Sequence, residues 1–97
     1  MSVTRSARIF IHANSGGFDV LCQIPHEMSA QNYLTQVAFR RNETIHAEVL
    51  LGRYVSADPV IGTSFGALEA GDEIVVTWQD INGGSGEQRR TFEGNTD

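Results

Sequence analysis

Cys22, His26 and Met28 are the residues whose types and spacing could do chemistry, because thiolate, imidazole and thioether groups together bind soft metals. A blue-copper site needs a second histidine, and His12 or His46 could supply it. The order is against such a site, since Cys22 lies in an early apolar segment and copper ligands of this kind cluster in a late loop. The favoured interpretation is a buried core cysteine, with a metal site or an intermolecular disulfide as alternatives. We expect His12 and His46 on the polar faces of strands.

Other candidate catalytic groups are absent from the sequence pattern. Cys22 and the serines have no neighbouring motif for an activated nucleophile, and Asp72 and Glu73 read as turn carboxylates rather than an acid–base pair. The glycine-rich stretch 83–86 predicts a mobile hairpin loop, because no helix or lysine follows it to hold a phosphate. The sequence therefore predicts no enzyme activity, no cofactor and no metal site.

Composition limits the class of partner. The chain has 97 residues, a net charge of −5 and no lysine, so it predicts one domain that binds neither nucleic acid nor an anionic membrane surface. No apolar run approaches the length of a membrane span or of a signal-peptide core. We therefore expect no export signal of the chain's own, and the single cysteine excludes an internal disulfide.

Alternating apolar residues predict the elements that position these groups. The strongest segment is 73–79, where Ile74, Val76 and Trp78 share one face, which is typical of a half-buried strand. Six further short strands are predicted at 8–12, 18–24, 33–40, 44–51, 60–65 and 88–92. Turn residues separate them, and no sustained helical period occurs. This pattern predicts an all-β fold, an immunoglobulin-like antiparallel β-sandwich of about seven strands. The predicted domain is a single one over 1–97, with its core at about 7–93. The expected core residues are Phe18, Val20, Val37, Phe39, Ile45, Val49, Phe65, Ile74, Val76 and Trp78.

A succession of landmarks along the chain resembles one known family. In the first half the landmarks are Ile-Pro-His-Glu-Met at 24–28 and Phe-Arg-Arg-Asn at 39–42. In the second half they are Glu-Val-Leu-Leu at 48–51, Ser-Ala-Asp-Pro at 56–59, Phe65, Ala-Gly-Asp at 70–72 and Thr-Trp-Gln-Asp at 77–80. In this order, over about residues 7 to 93, they resemble the sulfur-oxidation protein SoxZ family.

The resemblance implies a partner and a compartment. SoxZ proteins pair with SoxY as the heterodimeric SoxYZ carrier complex in the periplasm, and SoxY holds intermediates of thiosulfate oxidation on a cysteine of a glycine-rich arm. The implied function is a non-catalytic subunit that supports this carrier, meets other sulfur-oxidation enzymes transiently, and is exported bound to SoxY. A stand-alone immunoglobulin-like interaction domain, which would be cytoplasmic, is the alternative, and a small metal-binding protein is the remote one.

Outward apolar positions indicate where a partner binds. We expect Phe10, Leu21, Leu34, Leu50 and Val75 to face outward, so that another chain covers one outer surface. Alone, the protein is then expected to self-associate or to be only marginally soluble. The connections 25–29 and 56–59 are expected to be the rim of that surface or the surface that the partner's cysteine-bearing arm visits. The predicted partner-binding residues are His26, Met28, Leu50, Ser56, Asp58 and Val75.

Overall fold

The computed structural model describes residues 6–94 and residue 96. Seven strands make up the regular structure of this part of the chain, and it contains no helix. The strands are β1 (Arg8–Asn14), β2 (Gly17–Gln23), β3 (Leu34–Arg41), β4 (Thr44–Leu50), β5 (Val60–Phe65), β6 (Glu73–Asp80) and β7 (Ser85–Thr91). Over the described residues there is accordingly no helix long and apolar enough to cross a membrane.

The strands form two antiparallel sheets that pack face to face. One sheet has the order β1-β2-β5 and the other has the order β4-β3-β6-β7. This is the immunoglobulin-like arrangement, with the difference from constant-type domains that β4 pairs with β3 instead of β5. The predicted all-β sandwich is confirmed.

The core lies between the inner faces of the two sheets, and β6 lies at its centre between β3 and β7. Successive side chains along each strand point alternately to the core and to the outer face of the sheet, as the sequence indicated. Nine of the ten predicted core residues pack there. Val20, Val37, Phe39, Phe65, Ile74 and Val76 are fully buried, and Phe18, Val49 and Trp78 are half-buried against them.

Two predicted side-chain orientations are wrong, and a β-bulge explains each. Ile45 was expected in the core but is 49% exposed, because the register of β3 and β4 shifts after Phe39 and pairs Ile45 with the outward Arg40. Leu34 was expected outside but is 0% exposed, because the register of β3 and β6 shifts between Leu34 and Gln36. A single extra residue in a strand moves the following side chains to the opposite face.

His46 is exposed on the edge strand β4, as expected of a solvent or edge residue. Its ring stacks on Phe65 with ring centroids 3.8 Å apart, and its Nε2 lies 2.7 Å from the Ser64 carbonyl oxygen. His46 thereby covers part of the open edge of β5 from the neighbouring edge strand β4. His12 is exposed on the outer face of β1, as expected.

The opposite edges of the two sheets are joined by β7. Gln88 donates a side-chain hydrogen bond to the Ala7 carbonyl, and Arg90 donates one to the Ile9 carbonyl at 2.8 Å. Exposed strand edges offer unpaired backbone groups to other chains. These two side chains bind carbonyl groups along the edge of β1, which are then not open to another chain.

The loop between β6 and β7 is shorter than the glycine-rich sequence indicated. β7 begins at Ser85, so Gly86 lies inside the strand, directly opposite Trp78. A Cβ atom at Gly86 would overlap the indole ring, so only glycine leaves room for Trp78 there. The remaining turn is held by Asp80, whose Oδ1 accepts hydrogen bonds from the amides of Asn82 at 2.9 Å and Gly84 at 2.7 Å.

Candidate partner-binding surface

Three connections meet at one end of the sandwich, which we call the loop end. They are the β2–β3 connection at 24–33, the β4–β5 connection at 51–59 and the β6–β7 turn at 81–84. Antiparallel pairing brings the end of β2 beside the start of β5, and the start of β3 beside the end of β6. Four of the predicted site residues, His26, Met28, Ser56 and Asp58, belong to this end.

His26 and Asp58 connect two of these loops by reciprocal hydrogen bonds. The amide of His26 donates to Oδ1 of Asp58 at 3.0 Å, and the amide of Asp58 donates to the His26 carbonyl at 2.8 Å. Asp58 has a φ of 52°, a left-handed conformation that Asp tolerates better than most residues. The Ser-Ala-Asp-Pro segment is therefore shaped by its contact with the β2–β3 connection.

The His26 ring extends this contact to the third loop. The Met28 amide donates to Nδ1 at 3.3 Å, so the neutral imidazole carries its proton on Nε2, as assigned from this hydrogen bond. Nε2 lies 3.8 Å from Oδ2 of Asp80, and both side chains are mostly buried. Both ring nitrogens therefore face groups of the chain itself, which is the geometry of a structural link between loops.

Met28 is also used inside the fold. Its side chain is buried in the core cluster, and its sulfur accepts a hydrogen bond from the Leu34 amide at 3.4 Å. Its φ of 53° is unusual for a residue with a side chain. Met28 therefore fixes the point where the connection enters β3.

Among the residues that the structure describes, four of the five exposed large hydrophobic side chains lie at or beside the loop end: Leu50, Tyr54, Val60 and Ile81. Leu50 is 80% exposed and Tyr54 is 87% exposed. Arg53 donates to the Tyr54 hydroxyl at 2.9 Å and lies 5.0 Å from its ring centroid, so the two side chains hold each other. Sequence reasoning missed Tyr54 and Ile81; an isolated aromatic residue and an isolated aliphatic residue in connections were the available signals.

The outward apolar residues do not form the one surface that the sequence predicted. Phe10 and Leu21 are cross-strand neighbours on the outer face of the three-stranded sheet, where Leu21 covers Gly62. Leu50 and Val75 lie on the outer face of the other sheet. Val75 is 4% exposed, and its opposite neighbours are Arg40 and Arg89, long side chains whose stems can cover it.

Arg40 is an unusual feature of this second face. Its Nε is buried without a hydrogen-bond partner, and its guanidinium forms no ion pair with any described residue. A buried donor left in this state costs about 1–3 kcal/mol. Arg89, one strand beyond Val75, contrasts with it because Glu73 and Glu87 each accept from its guanidinium at 2.9 Å.

Comparison with known proteins identifies the family. The family described as Sulphur oxidation protein SoxZ matches residues 8–91, which include all seven strands. The chain belongs to the SoxZ family. No curated protein matches the chain.

The position of Cys22 in this SoxZ protein determines how reactive its thiol is. Cys22 is fully buried on the inner face of β2, and burial raises the pKa of its thiol to about 12. A thiol that stays protonated is a poor nucleophile, because the thiolate is the reactive form. The described residues also contain no group of three or more His, Cys, Asp and Glu side chains placed to hold a metal.

Proposed function

We propose that this SoxZ protein is the non-catalytic subunit of a sulfur-carrier complex, and that its partner is a SoxY-like protein carrying intermediates of thiosulfate oxidation. The family match over residues 8–91 carries this proposal. Members of this family are sulfur-oxidation proteins and are generally non-catalytic subunits. Membership suggests that the chain associates with partners such as SoxY. The complex is a heterodimer that other sulfur-oxidation enzymes meet transiently.

The chemistry of the chain supports a scaffold role over a carrier role. A sulfur carrier needs an accessible thiolate, and the single cysteine of this chain lies protonated in the core. The loop end, by contrast, is a fixed platform because His26 links it to Asp58 and Asp80. In this proposal Leu50 and Ser56 contact the partner, while His26, Met28 and Asp58 hold the platform, and Val75 supports the sheet beneath.

Co-expression with a SoxY protein of the same organism tests the proposal. We expect a one-to-one complex in size-exclusion chromatography with light scattering, burying about 1,200 Å² or more in total. Expressed alone, the chain self-associates, since its partner surface is uncovered. A monomer that ignores SoxY would refute the carrier role and would leave the stand-alone interaction domain.

Reconstituted thiosulfate oxidation separates scaffold from carrier. Replacing the SoxY arm cysteine with serine abolishes turnover, whereas Cys22→Ser in this chain leaves it unchanged. Loss of turnover in a folded Cys22→Ser variant would show that this chain takes part in the chemistry. The proposed compartment is the periplasm, and cell fractionation with and without SoxY present tests whether the chain reaches it bound to its partner.

A further inference from the structure

The outer face of the four-stranded sheet carries side chains without partners among the described residues, among them the exposed Leu50 and the donor Nε of Arg40. Cross-strand pairing arranges its side chains in rows across β4, β3, β6 and β7. One row is Leu50, Gln36, Gln79 and Ser85; the next is Glu48, Ala38, Thr77 and Glu87; the third is Ile45, Arg40, Val75 and Arg89. We call the six residues Gln36, Ala38, Arg40, Leu50, Thr77 and Gln79 the docking face.

The docking face has the anatomy of a protein interface. Its middle is uncharged and low, with Ala38 flanked by Gln36 and Thr77 around a shallow depression. The carboxylates Glu48 and Glu87 lie on the outer strands at the two ends of the Ala38 row. Interface cores are poor in charged groups, and their rims are polar.

Arg40 gives this face its charge specificity. It is half-buried between Ile45 and Val75, and no described carboxylate pairs with it. The neighbouring cation Arg89 is already bound by two glutamates of its own chain. The group that Arg40 best accommodates is therefore a carboxylate from outside the chain, because a guanidinium binds carboxylates through several parallel donors.

The outer face of the other sheet lacks this open capacity. Leu21 fills the space above Gly62, and Asp19 accepts hydrogen bonds from Asn14 at 2.8 Å and from Ser64 at 3.0 Å. Asp19 and Leu21 are thus occupied within the chain, and among the described residues this face has no buried side-chain donor without a partner. A second copy of this chain can occupy the docking face only weakly, in the self-association expected of the chain alone, since each copy carries a net charge of −5 and the two repel.

We propose that the carrier subunit docks on this outer sheet face, with a carboxylate on Arg40 and uncharged side chains over Ala38 and Thr77. Four strands of about seven residues give a face of roughly 20 by 24 Å, or about 480 Å², somewhat less than the roughly 600 Å² that the smallest specific interfaces cover on one partner. Tyr54 and Arg53, next to Leu50 in the chain, extend the contact at the loop end. This inference rests on the proposed function and names the surface that performs it.

Two charge variants with matched controls test the docking face against a SoxY protein of the same organism. Arg40→Glu removes the cation, and Arg8→Glu makes the same change of charge at an exposed arginine on the outer face of the other sheet. Leu50→Glu places a charge on the docking face, and His12→Glu does so at an exposed residue on the outer face of the other sheet. Because Leu50 is 80% exposed, Leu50→Glu should fold, and it still tests the docking face if Arg40→Glu fails to fold. Circular dichroism confirms folding before titration by calorimetry.

We expect Arg40→Glu and Leu50→Glu to raise the dissociation constant by about ten-fold or more, while both controls bind as wild type does. Wild-type affinity in folded Leu50→Glu and Arg40→Glu would overturn the docking face and leave the proposed function standing. Weakening by the controls instead would move the interface to the three-stranded sheet. A wild-type homodimer that Arg40→Glu dissociates would make a second copy the occupant. A wild-type chain that does not bind SoxY would overturn the proposed function, and this inference with it.

Discussion

The packing of Trp78 against Gly86 makes a sharp test of the register between β6 and β7. A Cβ atom built on Gly86 would overlap ring atoms Cε2, Nε1 and Cζ2 of Trp78, the only tryptophan. Replacing glycine with alanine ordinarily stabilises a protein by about 0.4–1 kcal/mol where the backbone is compatible, because the unfolded chain loses freedom. Overpacking costs about 1–3 kcal/mol, so we expect Gly86→Ala to lower the free energy of unfolding by about 1–2 kcal/mol.

A matched control and a double-mutant cycle isolate the cause. Gly66→Ala meets nothing within 4 Å and needs no positive φ, so it should be neutral or slightly stabilising. Trp78→Ala alone should cost about 3 kcal/mol, at the low end for tryptophan because the side chain is only half-buried. In that background Gly86→Ala should lose its penalty, since the ring that it meets is gone.

Urea unfolding followed by circular dichroism measures all four proteins, and tryptophan fluorescence reports the ring where it is present. A small domain has about 5–15 kcal/mol of stability, so each variant should remain folded in water. Equal midpoints for Gly86→Ala and Gly66→Ala would show that the indole does not lie over Gly86. The β6–β7 register would then be wrong as described.

Three further predictions concern the loop end, the core thiol and a turn carboxylate. His26→Ala should cost about 1–2 kcal/mol and speed amide exchange in the three loop-end connections, whereas exposed His12→Ala should change little; equal effects would refute the loop link. Cys22 should react with thiol reagents at pH 8 only after unfolding. Because its pKa is raised from 9.0 to about 12, the stability difference between wild type and Cys22→Ser should be constant from neutral pH to pH 9. Above pH 9 wild type should lose stability relative to the variant, since only the unfolded thiol ionises there. The hydrogen bond from the Glu69 amide and the contacts of Asn42 and Arg41 lower the Asp72 pKa below 3.8. The stability that ionised Asp72 adds is present above its ordinary pKa of 3.8 and is lost as pH falls through the lower pKa of the folded state. The free energies of unfolding of Asp72→Asn and wild type should therefore become equal in acid.

The sequence predicted the sandwich well because strand alternation is local. β5 was predicted with its observed bounds, and β6 differed by one residue, since each has a period of two ended by turn residues. The failures at Leu34 and Ile45 both follow from register shifts in the pairing of β3 with its neighbours. A bulge is defined by two strands together, so one strand's pattern does not reveal it.

The candidate site divides in the same way. Residue types and turn patterns selected His26, Met28 and Asp58 as partner-binding residues, and that role stays a prediction. The structure brings the three together at one end of the sandwich, because connections beside paired strand ends meet there. Their use inside the fold was not visible, since it depends on hydrogen bonds between connections more than thirty residues apart. Tyr54 and Arg40 were not selected, because neither residue stands out by type in a single sequence.

Unsatisfied binding capacity is a better guide to a partner surface in this protein than residue type. The side chains that suggest chemistry by type are for the most part occupied by their own chain: His46 covers the β5 edge, His26 links the loops, and Cys22 and Met28 fill the core. Arg40 looks like an ordinary strand arginine, yet it is the half-buried side chain whose donor lacks an acceptor among the described residues. Buried donors without partners are rare in folded proteins because each one costs stability. Because Nε of Arg40 is closed to solvent, a partner can supply its acceptor only if the partly exposed side chain adjusts in the complex.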